Sequence, residues 1–336
     1  MLERSTTSSI KQRLLEQLAG ARFCSGQVLA AELNLSRTAV WKHIRSLRES
    51  GFIIDAVRGK GYRLVSEFEL LDHERIVGAI DTEARQHIDE ILLFPALTST
   101  NDYLLQQCLS SPLRQVVIAE QQTAGRGRLG RSWLSSAGSV TLSLSWRFQR
   151  SAAAMSGLTL ALAVAVIRAI GAAYKLEDAH AGISVKWPND IVVGDKKLAG
   201  ILVEMHGETH GPVDIVIGVG INIDFPLAWQ QQIDQPVTDL KRACGHAPSR
   251  NQFVADLISQ MVAACRCFDE QGFTPFKAAW LKRDQSFDKQ VTIRMGDQLH
   301  QGTGKGVDDN GALLLMQGES VRAFYSGEIE QSCAIL

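Results

Sequence analysis

Six cysteines are scattered through 336 residues, and none of them falls in a Cys-x-x-Cys pair or at zinc-finger spacing. That pattern argues against both a disulfide framework and a metal-organised fold. Cys265-Arg266-Cys267 comes nearest to a ligand pair, but it lies in helical sequence, where neighbouring side chains point to different faces. No metal-ligand set is assigned. No apolar run is long enough for a bilayer: the longest, residues 158–167, is about half the required span and ends at Arg168. The N-terminal residues lack the pattern of a secretory leader, with Arg4 and a serine/threonine run preceding an amphipathic segment. Reduced thiols and no membrane segment point to a cytoplasmic protein. A strong overall charge is missing too, the formal net being −1.

That neutrality hides an asymmetry. Residues 1–65 carry 11 Lys and Arg against 5 Asp and Glu, whereas the remainder carries 24 against 31. A basic N-terminal unit is the half suited to a polyanion. Its pattern reads as three helices: residues 10–19 with Leu14, Leu15 and Leu18 at helical spacing, residues 27–33, and a third from Ser36 to about residue 50. Ser36 is the expected N-cap. Val40, Ile44 and Leu47 form an inward stripe, and Arg37, Thr38, Lys42, His43, Arg45 and Arg48 a cationic outer surface fit for a major groove. Trp41 borders both faces and reads as packing rather than as part of the basic surface. Gly51 stops the third helix, and residues 52–64 form a hairpin wing tipped by Arg58-Gly59-Lys60-Gly61. Three-helix units also serve as protein-interaction modules; the charge asymmetry favours DNA, with Ser36, Arg37, Thr38, Lys42, Arg45 and Lys60 as the contacting set.

Ser66-Glu67-Phe68-Glu69 reads as a linker, after which strands and helices alternate. Residues 91–94, 116–120, 140–146, 184–187, 190–193, 198–204 and 213–219 are strand-like, and 140–146 alternates strictly. Thr98-Ser99-Thr100-Asn101-Asp102 caps a helix from Tyr103, and residues 152–174 read as one long buried helix. The segment 226–248 has weak periodicity and reads as a mobile connection. Helices at 253–267 and 275–284 precede a return to short strands from Ser286, enough for a small barrel. The expectation is an α+β multidomain chain: residues 1–66 a winged helix-turn-helix, 67–285 a catalytic domain and 286–336 a small β-barrel.

The chemistry concentrates at Gly125-Arg126-Gly127-Arg128-Leu129-Gly130-Arg131. Glycines let backbone N–H groups approach an anion, and guanidiniums offer planar, permanently charged forks for phosphate or carboxylate. A disordered RNA-binding tail would sit in low-complexity polar sequence, whereas this run lies between Val116-Val117-Ile118-Ala119 and Trp133-Leu134. No Lys-Ser/Thr follows the last glycine, so it is not a Walker loop. Three further constellations follow: Lys186-Trp187-Pro188-Asn189-Asp190 around a proline turn, Lys196-Lys197-Leu198-Ala199-Gly200-Ile201 leading into a strand that ends at Glu204, and Gly218-Val219-Gly220-Ile221-Asn222, read as a glycine loop after a strand. Each alone is ordinary turn or surface chemistry.

In this order, with Ser36-Arg37-Thr38-Ala39-Val40-Trp41-Lys42-His43-Ile44 and Thr98-Ser99-Thr100-Asn101, the motifs resemble the biotin protein ligases, specifically the bifunctional bacterial type that also represses the biotin operon. The resemblance covers nearly the whole chain and implies a class II-synthetase-like central domain and an SH3-like C-terminal barrel. It implies ATP-dependent formation of biotinyl-5′-AMP with Mg²⁺ on the phosphates, then transfer to a lysine of the biotin carboxyl carrier protein of acetyl-CoA carboxylase. On this resemblance the catalytic residues are Arg126, Arg128, Lys197 and Asp190, the last as acceptor of the incoming lysine's proton. Ser99, Thr100, Asn101 and Gln122 would bind the ureido ring, Gly127 would lie with Arg126, Arg128 and Lys197 along the acyl group, and Trp133 would cover the valeryl chain. Gly125, Arg128, Lys186, Asn189 and Asn222 would serve the nucleotide. Adenylate would favour a homodimer that presents two wings to a palindromic operator.

Two departures stand out. Leu129 replaces an arginine found in some members of the family, and Val237 stands near where some relatives place a tryptophan against adenine. The alternatives are a lipoate protein ligase on the same scaffold, or a biotin-sensing repressor without ligase activity.

Overall fold

The computed structural model describes residues 10–333 except 20, 21, 50, 51, 66–68, 109–113, 137, 176–181 and 207–210. The proposed helix stop at Gly51 and the linker residues Ser66, Glu67 and Phe68 lie outside the described residues.

Three helices, α1 (Ile10–Leu18), α2 (Gly26–Leu33) and α3 (Arg37–Glu49), precede a hairpin of β1 (Ile54–Val57) and β2 (Gly61–Leu64). Leu14, Leu18, Leu29, Val40, Ile44 and Leu47 meet Phe52, Ile54 and Leu64 in one small core. Asn34 makes the α2–α3 turn in the left-handed conformation, which asparagine tolerates better than most residues. Ser36 Oγ accepts from Ala39 N at 3.1 Å, the expected N-cap bond.

The central part begins with α4 (His73–Ala79) and α5 (Thr82–Gln86), then β3 (Glu90–Phe94), α6 (Thr100–Cys108), β4 (Gln115–Ala119), the short β5 (Gly125–Arg126) and β6 (Ser132–Trp133), and β7 (Val140–Phe148). It continues with α7 (Leu158–Tyr174), β8 (Ile183–Lys186), β9 (Asp190–Val193), β10 (Lys196–His206), β11 (Val213–Ile221), α8 (Leu240–Cys244), α9 (Arg250–Gln271) and α10 (Thr274–Leu281). A seven-stranded sheet runs β3-β4-β7-β11-β10-β9-β8, antiparallel except for β3 beside β4. This is the expected α+β arrangement.

Strand periodicity divides the sheet into two faces. Val140, Leu142, Leu144, Trp146 and Phe148 of β7 and Ile215, Ile217, Val219 and Ile221 of β11 enter the main core with α7 and α9. The alternate residues Thr141, Ser143 and Ser145 face the other way, yet all three are buried. Strict alternation usually means one wet face; here α6 covers the polar face and its hydroxyls find partners there, Thr141 Oγ1 on Ala119 O at 2.9 Å for example.

Three expectations are corrected. Residues 152–174 are not one helix: a 3₁₀ turn, Ala152–Met155, is separated from α7 by Ser156 and by Gly157 at φ +83°. A Cβ at Gly157 would lie 2.8 Å from Phe273 Cβ, so close packing as well as backbone conformation calls for glycine there. The segment 226–248 is not a bare connection. It holds a 3₁₀ turn, Leu227–Gln232, a bridge from Val237 to Lys197, and α8, capped by the fully buried Asp239, which accepts from Arg242 N at 2.7 Å. Finally, α6 starts at Thr100, with Ser99 Oγ accepting from Asp102 N at 3.2 Å, so Thr100 and Asn101 stand in its first turn.

The C-terminal strands β12 (Gln290–Met295), β13 (Gln298–Val307), β14 (Leu313–Gln317), β15 (Ser320–Phe324) and β16 (Glu328–Cys333) form one antiparallel sheet ordered β15-β14-β13-β12-β16. Its inner residues Val291, Ile293, Leu313, Leu315 and Phe324 continue the central core.

Candidate active site

A cleft opens on the face of the sheet opposite α7 and α9. Its walls include Ser99, Thr100 and Asn101 from the start of α6, Gln122, the arginine loop from Arg126 to Arg128, Trp133, Asn189 and Lys197. Stretches far apart in sequence thus converge on one cleft.

The strands beneath supply the floor by having almost no side chains there. Gly218-Val219-Gly220 is not the expected loop; it lies within β11, its three residues opposite Leu202, Ile201 and Gly200 of β10. A Cβ on Gly218 would stand 2.3 Å from Asn101 Oδ1, and one on Gly220 would stand 2.4 Å from the Trp133 ring. The spaced glycines therefore let an amide and an indole lie directly on the sheet. Gly200 sits under the same indole, where a Cβ would be 3.2 Å from its Cζ3.

Hydrogen bonds hold the α6 end. Gln122 Oε1 accepts from Thr100 N at 2.7 Å and from Thr100 Oγ1 at 3.1 Å. Ser143 Oγ lies 2.6 Å from Thr100 Oγ1 and also bonds Asn101 Oδ1, while Asn101 Nδ2 donates to Glu204 Oε2 at 2.8 Å. Sequence reasoning missed Ser143 and Glu204 as members of this network. The alternating hydroxyls of β7 were visible in the sequence, but their burial beneath α6 was not, and no sequence signal pointed to Glu204 as a partner of Asn101.

The cations divide into two groups. Arg126 is engaged by two carboxylates of its own chain, Asp102 and Glu204, the latter with both oxygens within 3.0 Å of Nη2. Burial lowers the Arg126 pKa, but these hydrogen bonds and charges outweigh it and raise it above the ordinary value. Arg128 Nη1 donates to Asn189 Oδ1 at 3.2 Å, and Asn189 is itself pinned by Nδ2 to Ile201 O at 3.0 Å. Lys197 Nζ forms an ion pair with Asp190 Oδ1 at 2.8 Å and lies 5.7 Å from the centre of the Trp133 ring. The two lysine-motif turns thus meet: the Lys-Trp-Pro-Asn-Asp segment holds Arg128 through Asn189 and Lys197 through Asp190.

Other predicted residues stand off the cleft wall. Lys186 ends β8 opposite Asp190. Gly125 backs the loop, where a Cβ would press on Trp133 O at 2.6 Å and Gln122 Nε2 at 2.9 Å. Asn222 is buried and gives Nδ2 to Thr238 O at 3.0 Å, tying β11 to the segment before α8. Two contacts bring the C-terminal sheet to the same region: Arg131 to Glu328, and Trp187 Nε1 to Gly311 O at 3.1 Å.

On the N-terminal unit, Arg37, Thr38, Trp41, Lys42 and Arg45 form one exposed stripe of α3. Trp41 is 50% exposed under Arg45, whose guanidinium lies 5.9 Å from its ring centre. The packing reading for Trp41 is therefore overturned. Arg48 is exposed as expected, and it also donates to Ile54 O and braces the wing. Lys60 lies 5.9 Å from the Phe23 ring centre, and Arg45 is also paired with Glu49 at 2.8 Å.

Comparison with known proteins finds relatives for each part of the chain. The Biotin/lipoate A/B protein ligase family matches residues 93–222, an HTH domain matches residues 11–63 and the Biotin protein ligase C terminal domain matches residues 286–330. The bifunctional ligase/repressor BirA of Salmonella typhimurium strain LT2 is 37% identical over 96% of this chain and 97% of its own length; that of Escherichia coli K12 is 36% identical over the same shares. BirA of Bacillus subtilis strain 168 is 35% identical, with 96% of this chain and 99% of the relative covered. Among solved structures, the biotin protein ligase from Aquifex aeolicus in complex with biotin and ATP has the same fold, with TM-score 0.59 and 23% identity over 72% of this chain and 98% of that one. The chain belongs to the biotin protein ligase family, among the bifunctional ligase/repressors that carry an N-terminal helix-turn-helix.

Proposed function

We propose that the protein activates the carboxylate of biotin with ATP to biotinyl-5′-AMP, passes the biotinyl group to a lysine of a carboxyl carrier protein, and when adenylate-loaded represses biotin-synthesis genes as a homodimer. The setting is the cytoplasm. The observation that carries the enzymatic reading is the convergence of Arg128, Lys197 and Trp133 with the Thr100–Gln122 hydrogen-bonding wall around one cleft over strand glycines.

Bringing a carboxylate against a polyphosphate is a like-charge approach and needs positive charge fixed beforehand. Arg128 and Lys197 are held by Asn189 and Asp190 in a partly buried site, where such charges act more strongly than in bulk water. The wall of Ser99, Thr100, Asn101 and Gln122 offers neutral polar groups for a neutral ring, and Trp133 gives an apolar side to the acyl chain. Mg²⁺ enters on the ATP phosphates, whose oxygens suit a hard divalent cation. In transfer, Asp190 accepts the proton of the incoming lysine amine while Lys197 polarises the adenylate carbonyl.

Pyrophosphate release by the purified chain tests the reading: release dependent on biotin and ATP supports it, release only with lipoate favours the rival ligase, and none with either leaves a repressor without ligase activity. For the second function, the exposed stripe of Arg37, Thr38, Lys42 and Arg45 faces DNA from the side opposite the small core. Arg37→Ala is expected to weaken operator binding while carrier biotinylation stays at the unsubstituted level, measured by gel shift and by biotin transfer on the same preparation.

A further inference from the structure

The amide of Asn101 sits in a place where sterics and electrostatics act separately. Its plane is set by packing, because Asn101 lies on Gly218 with no room for even a Cβ between them. Packing does not decide which end of the amide faces which neighbour, since O and N are close in size. On one side is Glu204, whose ionised carboxylate only accepts; on the other is Ser143 Oγ. A carbonyl turned toward Glu204 would set two acceptors against each other in a buried site.

We infer that Glu204 is a positioning residue that sets the hydrogen-bond polarity of the ring pocket through Asn101 and, with the same carboxylate, seats Arg126 of the arginine loop; the inference rests on the biotin reading of this cleft. With Nδ2 committed to Glu204, Asn101 presents its carbonyl to Ser143. Thr100 gives its hydroxyl proton to Gln122, so that its oxygen and the Asn101 carbonyl share the single proton of Ser143. The wall at Thr100 and Asn101 is therefore rich in oxygen lone pairs and poor in protons, which suits a ligand that brings N–H donors, as a cyclic urea does. Arg126 Nη2 reaches both oxygens of Glu204, so recognition of the ring and seating of the loop share one acceptor. The assignment moves Arg126 from substrate contact to support: its charge is matched by Asp102 and Glu204, leaving Arg128 and Lys197 to face the reacting groups.

The test uses the full chain and biotin-dependent pyrophosphate release. Glu204→Gln keeps the shape but lets the Asn101 amide turn. The expected result is a KM for biotin raised about tenfold or more, with the KM for ATP within about twofold, as follows from unmatching one buried polar pair. The double variant Asn101→Asp with Glu204→Gln restores the polarity with the roles exchanged: the introduced amide donates to the introduced carboxylate, which only accepts and still faces Ser143. It should bring the KM for biotin at least about threefold below that of the single variant. A single variant whose KM for biotin stays within about twofold, or a double variant no better than the single, overturns the inference. If Glu204→Gln does not fold, Ser143→Ala takes its place, with a severalfold rise in the biotin KM expected and an unchanged value overturning it. An unsubstituted protein that releases no pyrophosphate with biotin refutes the ligase reading instead, so the two failures are distinct.

Discussion

In the proposed mechanism one contact, between Lys197 and Asp190, serves two steps. The 2.8 Å pair fixes the lysine that would polarise the carbonyl beside the carboxylate that would take the amine's proton. Replacing Lys197 by Met should reduce adenylate formation by on the order of 10²–10³, the usual cost of removing one preorganised charge. Asp190→Ala should slow transfer to carrier more than adenylate formation; equal losses in single-turnover measurements of the two half-reactions would reject a proton-acceptor role. Away from the site, burial pushes the Asp284 carboxyl up from its usual value, more than hydrogen bonds from Ser286 and the charge of Lys289 pull it down. A carboxyl raised on folding contributes stability that is present below its unfolded pKa and is lost as pH rises through the folded value. Asp284→Asn, which can still accept from Ser286, should therefore melt above the unsubstituted protein at pH 7, with the difference narrowing as pH falls toward about 4.

At the scale of elements, the glycines of β11 are where motif and geometry parted. Spaced glycines in sequence usually mean a turn, and nothing local distinguishes that from a strand cleared for a neighbour. The neighbours are Asn101 and Trp133, remote in sequence, so only the folded chain reveals the reason. Gly220→Ala should displace the indole and raise the KM for biotin while costing about 1–3 kcal/mol of stability, as overpacking does; calorimetry and steady-state kinetics would measure both. The polar residues of β7 carry the same lesson. Their alternation marked the strand correctly, but whether Ser143 met water or Asn101 depended on where α6 lay. By contrast the helices of the N-terminal unit, the cap at Ser36 and the stripe of Val40, Ile44 and Leu47 were legible from local rules, because capping and 3.6-residue periodicity act within one or two turns.

The whole molecule is tied together by a few polar contacts across long sequence separations. Arg250 and Glu120, each with a side chain 2% exposed, pair at 2.9 Å, and Arg250 also donates to Ser139 O while Glu120 accepts from Leu71 N. Arg250 further reaches Glu69 O, so the chain just after the N-terminal unit is fastened to α9 and to the strand leading toward the arginine loop. Glu120→Gln removes the charge opposite Arg250 while the hydrogen bonds to Glu69 O and Ser139 O remain, and should cost about 1–3 kcal/mol; denaturant unfolding would read it, and no measurable loss would show that the pair is replaceable. If adenylate binding and dimerisation are linked, each must strengthen the other, and sedimentation with and without biotin and ATP should show a ligand-dependent dimer. The sequence by itself determined the modular order, the basic N-terminal unit, most helices and strands, and the residue types able to bring a carboxylate to a polyphosphate, because periodicity, capping and charge are properties of short segments. Only the tertiary structure decided which cations face the cleft, that Arg126 is matched by Asp102 and Glu204, and that bare strand floor replaces a glycine loop, because those depend on contacts between residues remote from one another in the chain.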